Sequence, residues 1–377
     1  MKSSSTYRVI GVMSGTSLDG IDLCEIEFTL KNDIWHFEIF ETETVGYSAE
    51  WVDILKNAHR LGPAEVDDID KKYSLLLAEI IKHFKTKCGP IDLVCSHGHT
   101  IWHEPHKGIT KQIGNLKLLQ EKLNTTVVCD FRTNDVKLGG QGAPLVPVGD
   151  RLLFSEYTYC LNIGGFANVS FEENGERIAY DICPANKVLN SYAEQLGFAF
   201  DENGALAKSG QSQTELFNQL NQLEYYKKQP PKSLGVEWVE LCILPLIESF
   251  QISTKDKLNT FCHHIAFQLA KAFQQQRAKI LLTGGGVYNT YLIQLLKETS
   301  PDSTFIIPDQ KTTEYKEALI FGLLGVLKYR NEVNVLSSVT GAKYNHSSGV
   351  VFRNWFENVL IWRFENAGIK YAVAVCK

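Results

Sequence analysis

The apolar segments at the start of the chain are short, rich in β-branched residues and separated by polar turns. Residues 7–12, with Val9, Ile10 and Val12, predict a strand. Ser14-Gly15-Thr16-Ser17-Leu18-Asp19-Gly20 predicts a turn, residues 21–30 a second strand, Lys31-Asn32-Asp33 another turn, and residues 35–41 a third strand. The period then changes. Leu75, Leu76, Ile80 and Phe84 recur at helical spacing, which predicts a long helix over roughly 66–87. Apolar runs at 91–95 and 126–130 follow as strands. The same order returns from residue 159: strand 159–163, glycine turn 164–168, strand 169–171, turn 173–175, strand 177–181, and a helix from Asn186 to about 196. Residues 279–283 predict a buried strand, 290–297 a helix, 305–307 a late strand and 314–329 a very apolar helix.

Strand, glycine turn, strand, turn, strand, helix thus occurs twice, about 150 residues apart, which is the outline of a duplicated domain. Alternating strands and helices argue for an α/β fold with mixed sheets. A length of 377 residues suits two domains, each able to bury a full core. The pattern divides the chain at 1–135 and 136–345, with a polar, mostly helical insertion or cap at about 200–275, punctuated by Pro230-Pro231. Residues 346–377 form a tail in which Phe352, Trp355, Phe356, Val359 and Leu360 make a helical apolar stripe, followed by a β-like stretch at 369–375.

Composition narrows the function classes. Hydrophobic residues at 44% and charged residues at 21% are ordinary for a globular protein. A formal charge of −5 argues against a nucleic-acid binder, which would carry a basic stripe. The longest apolar run, 318–327, is about half of what a bilayer requires, so no membrane partner is expected. The stretch 9–13 is too short for a secretory signal. Nine scattered cysteines without a CxxC predict reduced thiols and a cytoplasmic protein.

Several loops carry candidate chemistry. Gly15-Thr16-Ser17 lets backbone approach an anion, and Asp19 and Asp22 beside it suit Mg²⁺; an ordinary hairpin turn explains the stretch equally well. Asn162-Ile163-Gly164-Gly165 is its echo in the second half, and the two hairpins together would clamp a triphosphate in a central cleft. Gly284-Gly285-Gly286 and Asn289 follow a strand and open a helix, an imperfect G-x-G-x-x-G that would let an adenine ring lie against backbone. No P-loop sequence is present. His97, His99, His103 and His106 crowd one loop, but their spacing matches no zinc site, and a sugar- or phosphate-contacting loop fits better. Arg132, beside Asp130 and Asp135, suits either an anionic ligand or a surface ion pair. Asp181 sits where a base would project from a strand end, or where a carboxylate would cap the helix at Asn186.

These stretches together resemble the anhydro-N-acetylmuramic acid kinase family. The resemblance rests on Gly11-Val12-Met13-Ser14-Gly15-Thr16-Ser17-Leu18-Asp19-Gly20-Ile21-Asp22, Ser96-His97-Gly98 with Thr100-Ile101, and Gln112-Ile113-Gly114-Asn115. It continues through 130–147, 161–169, Gly204-Ala205, Ser209-Gly210, 284–289, Glu317-Ala318 and Thr340-Gly341-Ala342, spanning about 7–343. It implies two actin/hexokinase-like (ribonuclease H-like) domains around a nucleotide cleft. It also implies an ATP- and Mg²⁺-dependent kinase that opens 1,6-anhydro-N-acetylmuramic acid with water and phosphorylates O6, possessing an amino sugar and ATP as partners and forming a homodimer. Asp181 matches the family's base. Ser14, Gly15, Thr16, Ser17, Asp19, Gly20 and Asp22 match its phosphate loop, and His97, Arg132, Asn186 and Glu317 its sugar-contacting positions. Two departures stand out. The family's Asp-Thr-Gly-Pro-Gly-Asn reads Asp181-Ile182-Cys183-Pro184-Ala185-Asn186, which Ala185 tolerates only at negative φ, and His99 replaces the usual Gln. Another sugar substrate, a nucleotide-binding protein without catalysis, and a metal hydrolase on the histidine loop are the competing readings.

Overall fold

Strand pairing follows the apolar spacing closely. In this computed structural model, which describes residues 5–15, 18–275 and 277–354, β1 (Ser5–Ser14), β2 (Ile21–Lys31) and β3 (Ile34–Val45) form an antiparallel meander, with Val9 opposite Ile26 and Gly11 opposite Cys24. β4 (Leu93–Ser96) lies parallel beside β1. The hairpin of β5 (His99–Glu104) and β6 (Ile109–Ile113) stands apart as its own small sheet, and β7 (Thr126–Cys129) returns parallel to β4. The strand Val350–Phe352 completes the far edge, antiparallel to β7.

The second sheet repeats this order. β8 (Tyr159–Ile163), β9 (Phe166–Glu173) and β10 (Glu176–Pro184) are antiparallel, and β11 (Lys279–Thr283) and β12 (Thr304–Ile306) add parallel strands beyond β8. The order β10-β9-β8-β11-β12 reproduces β3-β2-β1-β4-β7. Both halves are therefore one mixed α/β design, the ribonuclease H-like arrangement.

Period-two alternation sends the two faces of β1 to different helices. Ile10 and Val12 join a core with Tyr73, Leu77, Ile81 and Phe84 of the helix Pro63–Lys85. On the other face, Gly11 meets the carbonyl of Ala318, and Gly325 fits against Cys95. A side chain at either glycine would push the buried segment 318–327 off the sheet, so glycine sets the helix-to-sheet distance.

Three expectations change. The chain does not divide at single points: one unit holds residues to Gly142, then 318–334 and the segment from His346, while the other holds 143–317 and 335–345. Second, the segment 200–275 is not all insertion, because the helix Thr254–Ala272 runs through the core of the second unit, with Leu258, Phe261, Ile265 and Leu269 buried. It occupies the place between β10 and β11 that Pro63–Lys85 holds between β3 and β4. Third, Phe352 belongs to a strand rather than a helical stripe; Trp355, Phe356, Val359, Leu360 and 369–375 lie outside the described residues. No described helix is long and apolar enough to cross a membrane.

Candidate active site

The phosphate-loop candidates cluster at the β1–β2 turn. Ser14 ends β1, and its hydroxyl is buried in a ring of hydrogen bonds with Tyr47 (2.8 Å) and Tyr73 (2.7 Å), which bond each other at 2.6 Å. His99 Nδ1 joins at 3.2 Å. The Ser14 hydroxyl is thus engaged by protein. Gly15 accepts from the Leu18 N–H, while Thr16 and Ser17 lie outside the described residues. Asp19 is exposed, and Gly20 packs where a Cβ would come within 2.8 Å of the Val45 carbonyl. Asp22 is half-buried, with Oδ1 accepting from Thr44 Oγ1 at 2.6 Å.

The histidines diverge rather than converge. Arg132 Nε donates to His97 Nε2 at 2.8 Å. A guanidinium has no acceptor, so Nε2 must be the bare nitrogen and Nδ1 carries the proton it gives to Gly98 O at 2.8 Å. Burial, with the Arg132 charge beside it, holds His97 well below the usual histidine range, so it stays neutral. Arg132 Nη1 donates to Gly142 O at 2.6 Å, and the buried Asp135 accepts from Gly142 N–H at 2.6 Å. His97 is therefore the orienting partner of Arg132. His103 bonds Thr110, and His106 is exposed. Among the described residues no three His, Cys, Asp or Glu side chains gather to hold a metal.

Asp181 lies inside β10 at a bulge, where the register slips between Asp181↔Asn168 and Cys183↔Ala167. A bulge re-aims the side chain at that point. It does not cap the helix Asn186–Gln195, whose N-cap is Ala185 at φ −133°. That φ is negative, so Ala185 does not occupy the left-handed region that favours glycine. Asp181 Oδ2 accepts from the Leu234 N–H at 2.9 Å; among the described residues Oδ1 accepts no hydrogen bond. Burial raises its carboxyl above the ordinary value, and the Leu234 N–H opposes the rise. Ile182, Cys183, Pro184 and Ala185 are all buried, so the departing residues face the core.

Asn186, Gly285 and Asn289 line one cavity of about 530 Å³ together with Phe200, Asn203 and Tyr288. Asn289 Oδ1 caps the helix Thr290–Thr299 through the Leu292 N–H at 3.0 Å. Gly284, at φ +84°, and Gly286 pack against Ile163. Thr283 Oγ1 reaches Asn162 Oδ1 at 3.4 Å. Gly164 and Gly165 give their carbonyls to the N–H groups of Asn186 and of Ala185 and Lys187, joining the turn to the start of the helix. Glu317 is exposed, beside a buried Lys316 that pairs with Asp150 at 2.7 Å. Sequence reasoning missed Phe200 and Tyr288 in the cavity and Tyr225 and Leu234 at Asp181. Tyr288 was findable, being an aromatic inside the glycine motif; the others have no local signal.

The family model for anhydro-N-acetylmuramic acid kinase matches residues 7–354, which extends the resemblance past residue 345 and through the edge strand Val350–Phe352. An anhydro-N-acetylmuramic acid kinase of Mannheimia succiniciproducens is 35% identical over 375 residues, covering 91% of this chain and 98% of that protein. One of Pasteurella multocida is 32% identical, covering 93% and 98%. One of Bacillus thuringiensis subsp. konkukian is 31% identical, covering 89% and 96%. With the duplicated fold beneath it, this likeness over nearly the whole length makes the chain a member of the anhydro-N-acetylmuramic acid kinase family, a phosphotransferase with an alcohol group as acceptor.

Proposed function

We propose that this kinase opens 1,6-anhydro-N-acetylmuramic acid with water and phosphorylates O6 from ATP, giving N-acetylmuramic acid 6-phosphate in the cytoplasm for peptidoglycan turnover. The observation that carries the reading is the Asp181 carboxylate: one oxygen is fixed by the Leu234 N–H and the other is left for a water. Asp181 Oδ1 takes a proton as the water oxygen bonds C1 of the sugar. The C1–O6 bond breaks, its electron pair stays on O6, and O6 takes the γ-phosphoryl group as ADP leaves. A base with a raised pKa holds that proton more readily at neutral pH.

Arg132, oriented by His97, supplies positive charge for an acidic sugar. The cavity lined by Gly285 and Tyr288 takes the adenine ring, with the flat backbone of Gly285 on one side. Asp19 and Asp22 would hold Mg²⁺. Two hard carboxylates without nitrogen or sulfur suit an ion that keeps several waters and completes its shell with phosphates. When bound, Mg²⁺ neutralises charge on the transferring phosphate. The three replaced residues after Asp181, Ile182, Cys183 and Ala185, are absorbed in the core, which favours the family substrate over another sugar.

The test combines the protein, ATP, Mg²⁺ and the anhydro sugar in ¹⁸O-labelled water, with Asp181→Asn alongside. A 6-phosphate product with one ¹⁸O at C1, lost or slowed by on the order of 10³-fold in the variant, is the expected result. Product from Asp181→Asn at the wild-type rate would remove Asp181 as the base. Phosphorylation of N-acetylmuramic acid but not of its anhydride would replace the substrate.

A further inference from the structure

Asp181 lies on β10, the edge strand of its sheet, at a point where the ladder to β9 is irregular. An edge residue at a bulge has unpaired backbone groups and a loosely defined direction. Here one segment of the chain, 225–234, grips that single residue three times. The Asp181 N–H donates to Lys232 O at 3.2 Å, Tyr225 Oη donates to Asp181 O at 2.5 Å, and the Leu234 N–H donates to the carboxylate at 2.9 Å.

The gripping segment is itself held. Tyr225 is buried, and its ring packs on Trp238 at 5.3 Å and edge-on to Tyr226 at 5.7 Å. Tyr226 Oη bonds His264 Nε2 at 2.9 Å, on the core helix Thr254–Ala272. Lys232 Nζ lies 4.8 Å from the centre of the Tyr225 ring and 5.5 Å from that of Tyr180, the residue before Asp181. Packing therefore fixes where the Tyr225 hydroxyl and the Leu234 N–H point.

Resting on the reading of Asp181 as the base, we propose that residues 225–234 form a clamp that positions the Asp181 carboxylate, with Tyr225 and Lys232 as its positioning residues. A base must meet its water within a narrow range of distance and angle, and small misplacement is costly in rate. The clamp leaves Oδ1 for the proton while holding Oδ2, the backbone N–H and the backbone carbonyl. The titratable groups that face this residue are Tyr225, Cys183 and, through Cys183 and Tyr180, Lys232.

The test measures kcat and KM against pH for the full chain and for Tyr225→Phe, which removes one hydroxyl and keeps the ring. We expect kcat to fall by on the order of 10-fold with KM for ATP unchanged. The acidic limb of the kcat profile moves to higher pH, because a loosened Leu234 N–H no longer lowers the carboxyl. Should Tyr225→Phe unfold, Lys232→Met takes its place, with Lys232→Arg restoring the wild-type profile because arginine keeps a cation over the rings. Wild-type kcat and an unmoved acidic limb in a folded variant would overturn the clamp, and so would a loss of rate that merely tracks the folded fraction. Asp181→Asn, run in parallel, separates the failures: if it stays active, the base reading falls; if it is inactive while Tyr225→Phe is normal, only the clamp falls.

Discussion

His99 and His264 are buried residues held neutral by their surroundings, and each ties stability to pH. Burial lowers His99 to about 4 and His264 to about 3, against about 6.5 in an unfolded chain. Both folded values are depressed, so the unfolded chain binds the extra protons. The stabilisation is complete above pH ~6.5 and drains away as pH falls toward the folded values. Each histidine should add a slope approaching ~1.4 kcal/mol per pH unit between about pH 6 and 5. His264→Gln keeps a donor for Asn221 Oδ1 and an acceptor for Tyr226 Oη while removing the proton site. Urea unfolding of the variant at pH 7, 6 and 5 should show a shallower slope by one such contribution; identical slopes would sink the assignment. At this scale the sequence singled out Asp181, Asn186 and Gly285 as candidates, because their types and order carry chemistry. It was silent about His97 as the partner of Arg132, and about Tyr225, because those contacts join residues 35 and 44 positions apart.

Element type and order were legible wherever local pattern decides them, as in the two three-stranded meanders and the helix Pro63–Lys85, although β3, β9 and β10 run several residues longer than their apolar runs. The helix Thr254–Ala272 escaped because its buried face includes Lys257, Asn259, Thr260, His264 and Gln268, which read as polar although they are enclosed and hydrogen-bonded. The loop after β11 offers a sharper test of element-level reasoning. Gly284 has φ +84°, and a Cβ there would lie 2.6 Å from the side-chain Asn162 Oδ1 and 2.8 Å from the backbone Ile163 O, which cannot swing aside. Gly285 faces open space and lines the cavity. Gly284→Ala should therefore lower stability by about 1–3 kcal/mol. Gly285→Ala should leave stability within about 0.5 kcal/mol of wild type and raise KM for ATP. Chemical denaturation and steady-state kinetics on both variants decide it; an unchanged KM in Gly285→Ala would move the adenine out of this cavity.

At the scale of the whole molecule, duplication is visible in sequence as a repeated order of turns, yet the path of the chain is not. Neither unit is a continuous piece, because residues 318–334 and the segment from His346 return to the first. The return is a set of long-range contacts, such as Ser348 Oγ to Phe131 O at 2.6 Å and Asn334 Nδ2 to Ser348 O at 2.9 Å, which no local pattern announces. The energetic consequence is large. Leu319, Ile320, Phe321, Leu323, Leu324, Val326 and Leu327 are all buried. At about 1.5–3 kcal/mol per buried side chain, their loss exceeds ~10 kcal/mol. That is comparable to the whole stability of an ordinary domain, about 5–15 kcal/mol. A fragment of residues 1–142 should then lack cooperative unfolding and near-ultraviolet circular dichroism, although it carries seven of the eight described strands of the first unit's main sheet and small hairpin, all but Val350–Phe352. Supplying residues 310–354 as a second chain should restore both signals. Cooperative unfolding of 1–142 alone would mean that the returning helix covers a sheet already stable without it, and the core of the first unit would have to be redrawn around the helix Pro63–Lys85.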